Sequence, residues 1–315
     1  MKYIAASLLG LAAANDQRYM MYMAVHGKSY LTREEYDFRK AVYDKNMDII
    51  EAHNLKKDET YTMGEGAFTD WTWEEFERLL GYADKKTIEV QEDLAQNDTS
   101  FNAAWPTIDH RANVSPVKNQ GQCGSCWSFS TTGALEFCLK KKTGTMTLLS
   151  EQQLVDCSTS YGNHGCNGGL MDYGFKYAKE HGLVTESEYP YTATDGSCKT
   201  DSGPNKDTGY TDVSAPPFWE DQNKNVLAAL QNEAIAIAVA ANSGWQHYTG
   251  GIFTAGGSQL NHGVLLVGSG TDGSTPYYRI KNSWGASWGE EGYIRVGNTR
   301  STNSGLTNQP SYPSC

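Results

Sequence analysis

Residues 120–127 read Gln120-Gly121-Gln122-Cys123-Gly124-Ser125-Cys126-Trp127. Two cysteines stand three apart, with a glutamine six positions before the second and a tryptophan directly after it. A helix-like run, residues 128–142, follows. A thiol at a helix N-terminus meets unpaired backbone N–H groups and the positive end of the macrodipole, and both favour its anion. The thiolate is the nucleophilic form, so Cys126 is a candidate catalytic thiol. The same spacing also suits half of a structural disulfide, a redox Cys-x-x-Cys or half of a zinc site. The motif alone leaves these readings open.

A chain of 315 residues can bury a full core and predicts roughly two domains. Its formal net charge of −11 argues against nucleic acid and anionic membranes as main partners. At the N-terminus, Lys2 precedes a short apolar run from Ile4 to Ala14 that ends Ala12-Ala13-Ala14. That pattern predicts a signal peptide over residues 1–14, cleaved after Ala14. The run is shorter than the roughly 20 residues that span a bilayer, and no other segment is long enough. The expected product is soluble and oxidised. The seven cysteines, Cys123, Cys126, Cys138, Cys157, Cys166, Cys198 and Cys315, all follow residue 122. An odd number in a secreted chain leaves at least one thiol unpaired, and spacing does not say how the others connect.

The chain divides into two unequal parts. Residues 15–103 hold no cysteine and carry 11 Lys and Arg against 19 Asp and Glu. Apolar residues at Tyr36, Val42, Tyr43, Met47 and Ile50 predict a helix over residues 32–54, with Thr32 and Glu35 at capping-box spacing. Thr72 and Glu75 repeat that spacing and predict a short helix to Leu80. Residues 81–103 lose periodicity and read as a linker. Asn97-Asp-Thr99 and Asn113-Val-Ser115 are glycosylation sequons. Beyond Ala104, helices are predicted from Cys126, over 150–157 with Ser150 as cap, and over 170–180. Strands are predicted over 234–240, 263–267, 277–281 and 292–296. Helices first and strands later imply an α+β arrangement in two lobes.

A cysteine nucleophile needs a base within hydrogen-bond reach and a third group to orient that base. His262, in Leu260-Asn261-His262-Gly263, stands at the entry to an apolar strand. Twenty residues later comes Lys281-Asn282-Ser283-Trp284-Gly285. The Asn282 carbonyl can accept from an imidazole, and Trp284 can shield that bond from water. His262 follows Cys126 by 136 residues and Asn282 by 156. A Cys-Gly-Ser-Cys-Trp signature with His and Asn far downstream resembles the papain family of cysteine proteases. The likeness is greatest to its cathepsin L-like branch. The N-terminal part adds Glu35-x3-Arg39-x3-Tyr43-x2-Asn46-x3-Ile50-x3-Asn54 and Gly64-x-Gly66-x-Phe68-x-Asp70. Both resemble motifs of cathepsin L-like prodomains, with Tyr for the usual Phe at 43 and Gly for Asn at 66. Their three- and four-residue offsets place Glu35–Arg39 and Asn46–Ile50 as a packing ridge on one helix face.

The resemblance implies a papain-like fold, with a helical lobe and a β-barrel-like lobe flanking a cleft, preceded by a helical prodomain. It implies an endopeptidase whose Cys126 and His262 form a thiolate–imidazolium pair. Asn282 orients the histidine, and the Gln120 amide with the Cys126 N–H forms the oxyanion hole. It assigns Gly168 and Gly169 to substrate backbone and Asn261 to substrate binding. Leu170, Met171, Ala240 and Leu260 line a pocket for an apolar or aromatic side chain two positions upstream of the scissile bond, with Gln309 near its floor. Trp288 also belongs to the substrate side. It pairs Cys123 with Cys166 and Cys157 with Cys198. The family's third bridge is lost near Ala255 and Ser304, and Cys138 and Cys315 are left over to pair by parity or stay free. His110 stands where Trp is usual. No cofactor or metal is implied.

Residues 15–103 become an inhibitory propeptide, removed near Ser100–Ala104 to leave 104–315 as the mature enzyme. Loosening at acid pH is expected through protonation of buried proregion carboxylates such as Asp70. Implied partners are protein and peptide substrates, the propeptide itself and inhibitors of the cystatin type. The mature enzyme is expected to be a monomer in a lysosome, a digestive vacuole or outside the cell.

Overall fold

The structure is a computed structural model that describes residues 15–83, 105–213, 219–257, 259–299 and 301–315. The expected signal peptide, the expected processing segment and the Asn97 sequon lie outside the described residues.

The elements in chain order begin with α1 (residues 15–26), α2 (Arg33–Asn54), β1 (Tyr61–Met63) and α3 (Trp73–Glu77). After residue 105 come β2 (Ile108–Asp109), α4 (Cys126–Thr143), α5 (Glu151–Cys157), α6 (Met171–Glu180) and β3 (Gly209–Asp212). The rest are α7 (Trp219–Leu230), β4 (Ile235–Val239), α8 (Ser243–His247), β5 (Tyr248–Phe253), β6 (His262–Asp272), β7 (Thr275–Lys281), β8 (Tyr293–Gly297) and β9 (Ser311–Ser314).

Three apolar clusters organise these elements. One lies within the N-terminal segment, where Tyr19 and Tyr22 of α1 meet Tyr43, Met47 and Ile50 of α2. Thr32 caps α2 by accepting from the Glu35 N–H, and Thr72 with Glu75 forms a full capping box on α3. Glu35 and Arg39, expected on one helix face, form an i,i+4 ion pair at 4.0 Å. Arg39 also reaches Glu75 through two bonds of 2.6 and 2.8 Å and the Asp70 carbonyl at 3.2 Å. Asn46 donates to the carbonyls of Thr69 and Trp71. The motif positions therefore clamp the turn at residues 64–71 more than they hold one another.

The second cluster is the helical lobe, with α4, buried from Cys126 to Leu139, as its centre. Gly144 ends α4 in the left-handed region at φ 79°, and Lys140, Lys141 and Lys142 complement the negative end of the dipole. The third cluster lies on the sheet, where Ile237, Val239, Val264, Leu266 and Ile280 pack with Phe68, Phe76, Leu79 and Leu80 of the N-terminal segment. The sheet, expected as barrel-like, is an open ladder in the order β1-β5-β8-β7-β6-β4-β9-β3, with β2 on β6. Its outer strand β1 pairs antiparallel with β5, so the N-terminal segment extends the sheet. Disulfides join Cys123–Cys166, Cys157–Cys198 and Cys138–Cys315. Cys126 is the one free cysteine among the described residues.

Candidate active site

Cys126 opens α4, at the base of the seam between the two lobes. Its neighbour Cys123 is committed to Cys166, which removes the redox and zinc readings of the pair. Gly124 lies beneath that loop, where a Cβ would come within 2.4 Å of the Cys166 carbonyl oxygen. From the opposite lobe, β6 begins at His262, and the Gly263 N–H donates to Cys126 Sγ at 3.3 Å. His262 Nε2 meets Asn282 Oδ1 at 2.8 Å, while its Nδ1 has no hydrogen-bond partner among the described residues. Trp284 stacks on the imidazole, with ring centroids 4.6 Å apart. That is the shielding role expected for it.

Gln120 is fully buried and fixed at both ends of its amide. Its oxygen accepts from Ser283 Oγ at 2.7 Å and Trp284 Nε1 at 3.1 Å. This leaves its nitrogen to donate, to the Cys123 carbonyl at 2.8 Å and the Leu79 carbonyl at 2.9 Å. Leu79 belongs to the N-terminal segment, which runs through the cleft. The Gly81 N–H donates to the Leu79 carbonyl at 3.1 Å and lies on the side of the Cys126 thiol, where it favours the anion. Gly169 donates to the Gly81 carbonyl at 3.0 Å and accepts from Ala83 at 3.1 Å, and Tyr82 N–H donates to the Asn261 carbonyl at 3.0 Å. The bridge between Tyr82 and Gly169 is parallel. Gly168, at φ 113°, approaches so closely that a Cβ would lie 3.0 Å from the Gly81 oxygen.

Tyr82 is buried in the same apolar cluster as Met171 and Leu260, with Leu170 at its edge, and its hydroxyl donates to Gln309 Oε1. Ala240 is buried just after β4, with its N–H on the Ser304 carbonyl. Trp288 packs on Trp245, Tyr248 and Trp284 and lines a small cavity closed by residues 64–68. His110 accepts the place of the usual Trp by setting its ring edge-on to Phe137 and bonding the Leu230 carbonyl at 2.7 Å.

Burial acts on both members of the dyad. Desolvation pushes the Cys126 thiol up to about 11, against the opposing pull of the Gly263 and Gly81 N–H groups. Desolvation also lowers His262 to about 4, against the bond to Asn282. Burial thus opposes the charged form of both groups in the docked chain. Leu79, Gly81 and Ser283 carried no signal in the sequence that set them apart. Tyr82, next to Gly81, is legible only once the chain path is known.

The match to known proteins covers both parts. Residues 104–314 match the family described as papain family cysteine protease, and residues 19–76 match the cathepsin propeptide inhibitor domain. The chain is 40% identical to procathepsin L of Mus musculus over 333 residues, covering 98% of this chain and 97% of that one. It is 38% identical to a cathepsin L-like proteinase of Fasciola hepatica, covering 98% and 97%. Digestive procathepsin L 3 from Tenebrio molitor larval midgut superposes with a TM-score of 0.83 at 37% identity, covering 96% and 99%. The chain thus belongs to the papain family of cysteine proteases, as a cathepsin L-like peptide hydrolase made as a proenzyme with its own inhibitory propeptide.

Proposed function

We propose that residues 15–103 form the inhibitory propeptide and 104–315 the mature endopeptidase, with Cys126 as nucleophile, His262 as its base and Asn282 as the positioning residue. The observation that carries this reading is the Leu79 carbonyl on the Gln120 amide, the group assigned to the oxyanion. A propeptide carbonyl fills the place of the oxyanion, and the backbone from Leu79 to Gly81 covers the thiol. Bound this way, the propeptide blocks the cleft without being attacked.

With the propeptide gone, water reaches the dyad, and the proton passes from Cys126 Sγ to His262 Nδ1. The thiolate adds to the scissile carbonyl, forming the S–C bond. The oxyanion accepts from Gln120 Nε2 and the Cys126 N–H. The C–N bond then breaks, and His262 gives its proton to the leaving amine. Water, activated by His262, cleaves the thioester and restores the thiol. Gly168, Gly169 and Asn261 hold the substrate backbone, and Leu170, Met171, Ala240, Leu260 and Gln309 form the pocket for an apolar or aromatic side chain. Trp288 bounds the leaving-group side.

Acid activation proceeds in part through Asp70, which is fully buried and accepts from Lys28 at 2.9 Å and from Tyr30. Protonation there removes the charge that orders this turn. The chain enters the secretory route and works as a monomer in an acidic compartment or outside the cell. Protein and peptide substrates and inhibitors of the cystatin type are its partners. The test is acid incubation of the full chain followed by titration with an epoxide thiol reagent. A drop to the length of residues 104–315 with label on Cys126 alone supports the reading. A folded, processed chain that takes no label sinks it.

A further inference from the structure

We propose that Tyr191 is a positioning residue of the oxyanion hole. Its hydroxyl ties Gln120 to Ser125 and so sets the Gln120 amide relative to the Cys126 N–H. This role rests on the protease reading above and adds to it a residue that touches neither substrate nor dyad.

The two donors assigned to the oxyanion stand six residues apart, at opposite ends of one loop. The middle of that loop is pinned by the Cys123–Cys166 bridge and by the Gly124 N–H on the Cys166 carbonyl at 3.0 Å. Its ends are joined to each other through Tyr191. The Tyr191 hydroxyl lies 2.8 Å from the Gln120 carbonyl oxygen and 2.6 Å from Ser125 Oγ. A carbonyl can only accept, so the tyrosine proton goes to Gln120 and the Ser125 hydroxyl donates in turn to the tyrosine oxygen. Gln120 and Ser125 are both fully buried. Ser125 directly precedes α4, where a serine hydroxyl ordinarily caps the helix, yet it makes no capping bond. It is committed to Tyr191 instead.

Tyr191 is itself held in place. Its N–H donates to Glu186 Oε1 at 2.9 Å, and the Thr192 N–H donates to Gln152 Oε1 of α5 at 2.9 Å. Its ring stands edge-on to Phe129 of α4, with centroids 4.9 Å apart. From the opposite lobe, the Ser283 carbonyl accepts the Gln120 N–H at 2.8 Å. The backbone of Gln120 is thus clamped between the lobes, and Tyr191 supplies the clamp on the helical side. Without the hydroxyl, a buried carbonyl and a buried serine lose their shared partner. The loop then shifts to find others, and the two donors no longer keep a fixed separation. Donors stabilise an oxyanion only when they are already aimed at the place where its charge develops. Tyr191, Gln120 and Ser125 all lie within residues 104–315, so the strut persists once the propeptide has left.

The test compares two reactions of the same thiol in enzyme processed from the full chain. Hydrolysis of a fluorogenic peptide passes through an oxyanion. Exchange of Cys126 with dipyridyl disulfide forms one S–S bond, breaks another and releases thiopyridone, with no oxyanion. Tyr191→Phe keeps the ring and removes the strut. It is expected to lower kcat/KM per active site by about 10-fold, less than the outright loss of a donor, while the exchange rate stays within about 2-fold. Ser125→Ala breaks the strut at its other end. It is expected to show the same split, and it decides the matter if Tyr191→Phe does not fold. Hydrolysis within about 2-fold of the wild type in either folded variant overturns the proposal. So does a parallel loss of hydrolysis and exchange, which marks general loosening of the site. If the wild type exchanges at Cys126 and cleaves no peptide, it is the protease reading that has failed.

Discussion

The carbonyl oxygen of Leu79 lies 2.9 Å from the side-chain nitrogen of Gln120. Two residues on, Gly81 passes so close to the catalytic loop that a Cβ there would lie 1.7 Å from the Gly124 carbonyl oxygen. The register of the propeptide in the cleft is set where it occupies the Gln120 amide and where only a glycine fits over Gly124. Latency therefore depends on the close approach of an unremarkable three-residue stretch, Leu79-Leu80-Gly81, to the catalytic loop. The docking of residues 61–68 on β5 and the Trp284–Trp288 loop holds that stretch in place.

Gly81→Ala should abolish this register. A Cβ there would stand 1.7 Å from the Gly124 carbonyl oxygen, and both atoms belong to backbone. The propeptide must lift away from Cys126, so the expected result is a proenzyme at least ~10-fold more reactive toward a thiol label at pH 7, a loss of roughly 1.4 kcal/mol of docking or more. Once processed, the variant should match the wild type in kcat/KM, since residue 81 is no longer present. Labelling as slow as in the wild type would show that the contact at Gly81 is not what shields the thiol.

Gln120→Ala tests the other end of the same arrangement. It removes the side-chain donor and also the acceptor for Ser283 Oγ and Trp284 Nε1. Turnover by the processed enzyme should fall on the order of 10²- to 10³-fold with a much smaller change in KM, as for loss of one oxyanion donor. A fall in KM affinity alone, with kcat intact, would assign Gln120 to substrate binding and not to the transition state.

The sequence showed much of this site because its residues have fixed chemical jobs and fixed spacing. Cys126, His262 and Asn282 are legible as nucleophile, base and orienting group, and α4, α5, α6, β4 and β6 follow from periodicity around them. Other elements owe their form to distant partners. β1 is three residues long and becomes a strand only against β5, which is itself interrupted by Gly250 and Gly251. α7 and α8 are absent from the sequence reading, since α8 is a single turn capped by Asn242. The Cys138–Cys315 bridge was open on parity alone. It required knowing that β9 returns to the flank of α4. Leu79 and Gly81 belong to the same class, because nothing local marks a leucine or a glycine as the residue that lies against the catalytic loop.

Cys315→Ser should report on that bridge. It closes a sequence separation of 177 residues and ties the C-terminus to the helix that carries Cys126. Removing a constraint of this size typically costs about 2–4 kcal/mol. The expected outcome is a lower urea midpoint with unchanged kcat/KM of the processed enzyme on a reference peptide. The denatured, unreduced wild type should titrate one thiol, and the variant two. Three thiols in the wild type would mean that Cys138 and Cys315 are unpaired in solution.

His247→Phe should flatten the pH dependence of propeptide release. His247 ends α8, where its carbonyl accepts from the Gly64 N–H at 2.9 Å and its ring lies 4% exposed beside residues 64–68. Its Nδ1 has no partner among the described residues, and burial alone lowers it from 6.5 to about 4. The groups around it offer no countercharge. Glu65 is the one charged residue lining the cavity, and its carboxylate accepts from Tyr43 and lies 3.7 Å from Arg18. Tyr248 is bonded to the Gly251 carbonyl, and Glu290 is paired with Arg295. The docked state thus binds fewer protons than the open one between these two values. Its stability is complete above pH 6.5 and falls as pH drops toward 4, by up to about tenfold in the opening constant per unit. His262 shifts in the same sense and is present in both chains, so the difference between them belongs to His247. In a Cys126→Ala background, hydrogen exchange at residues 61–68 between pH 7 and 4 measures opening without processing. The Phe variant should be as protected as the wild type at pH 7 and should require a lower pH to open. Equal midpoints for the two chains would leave release to Asp70 and the other carboxylates of the propeptide.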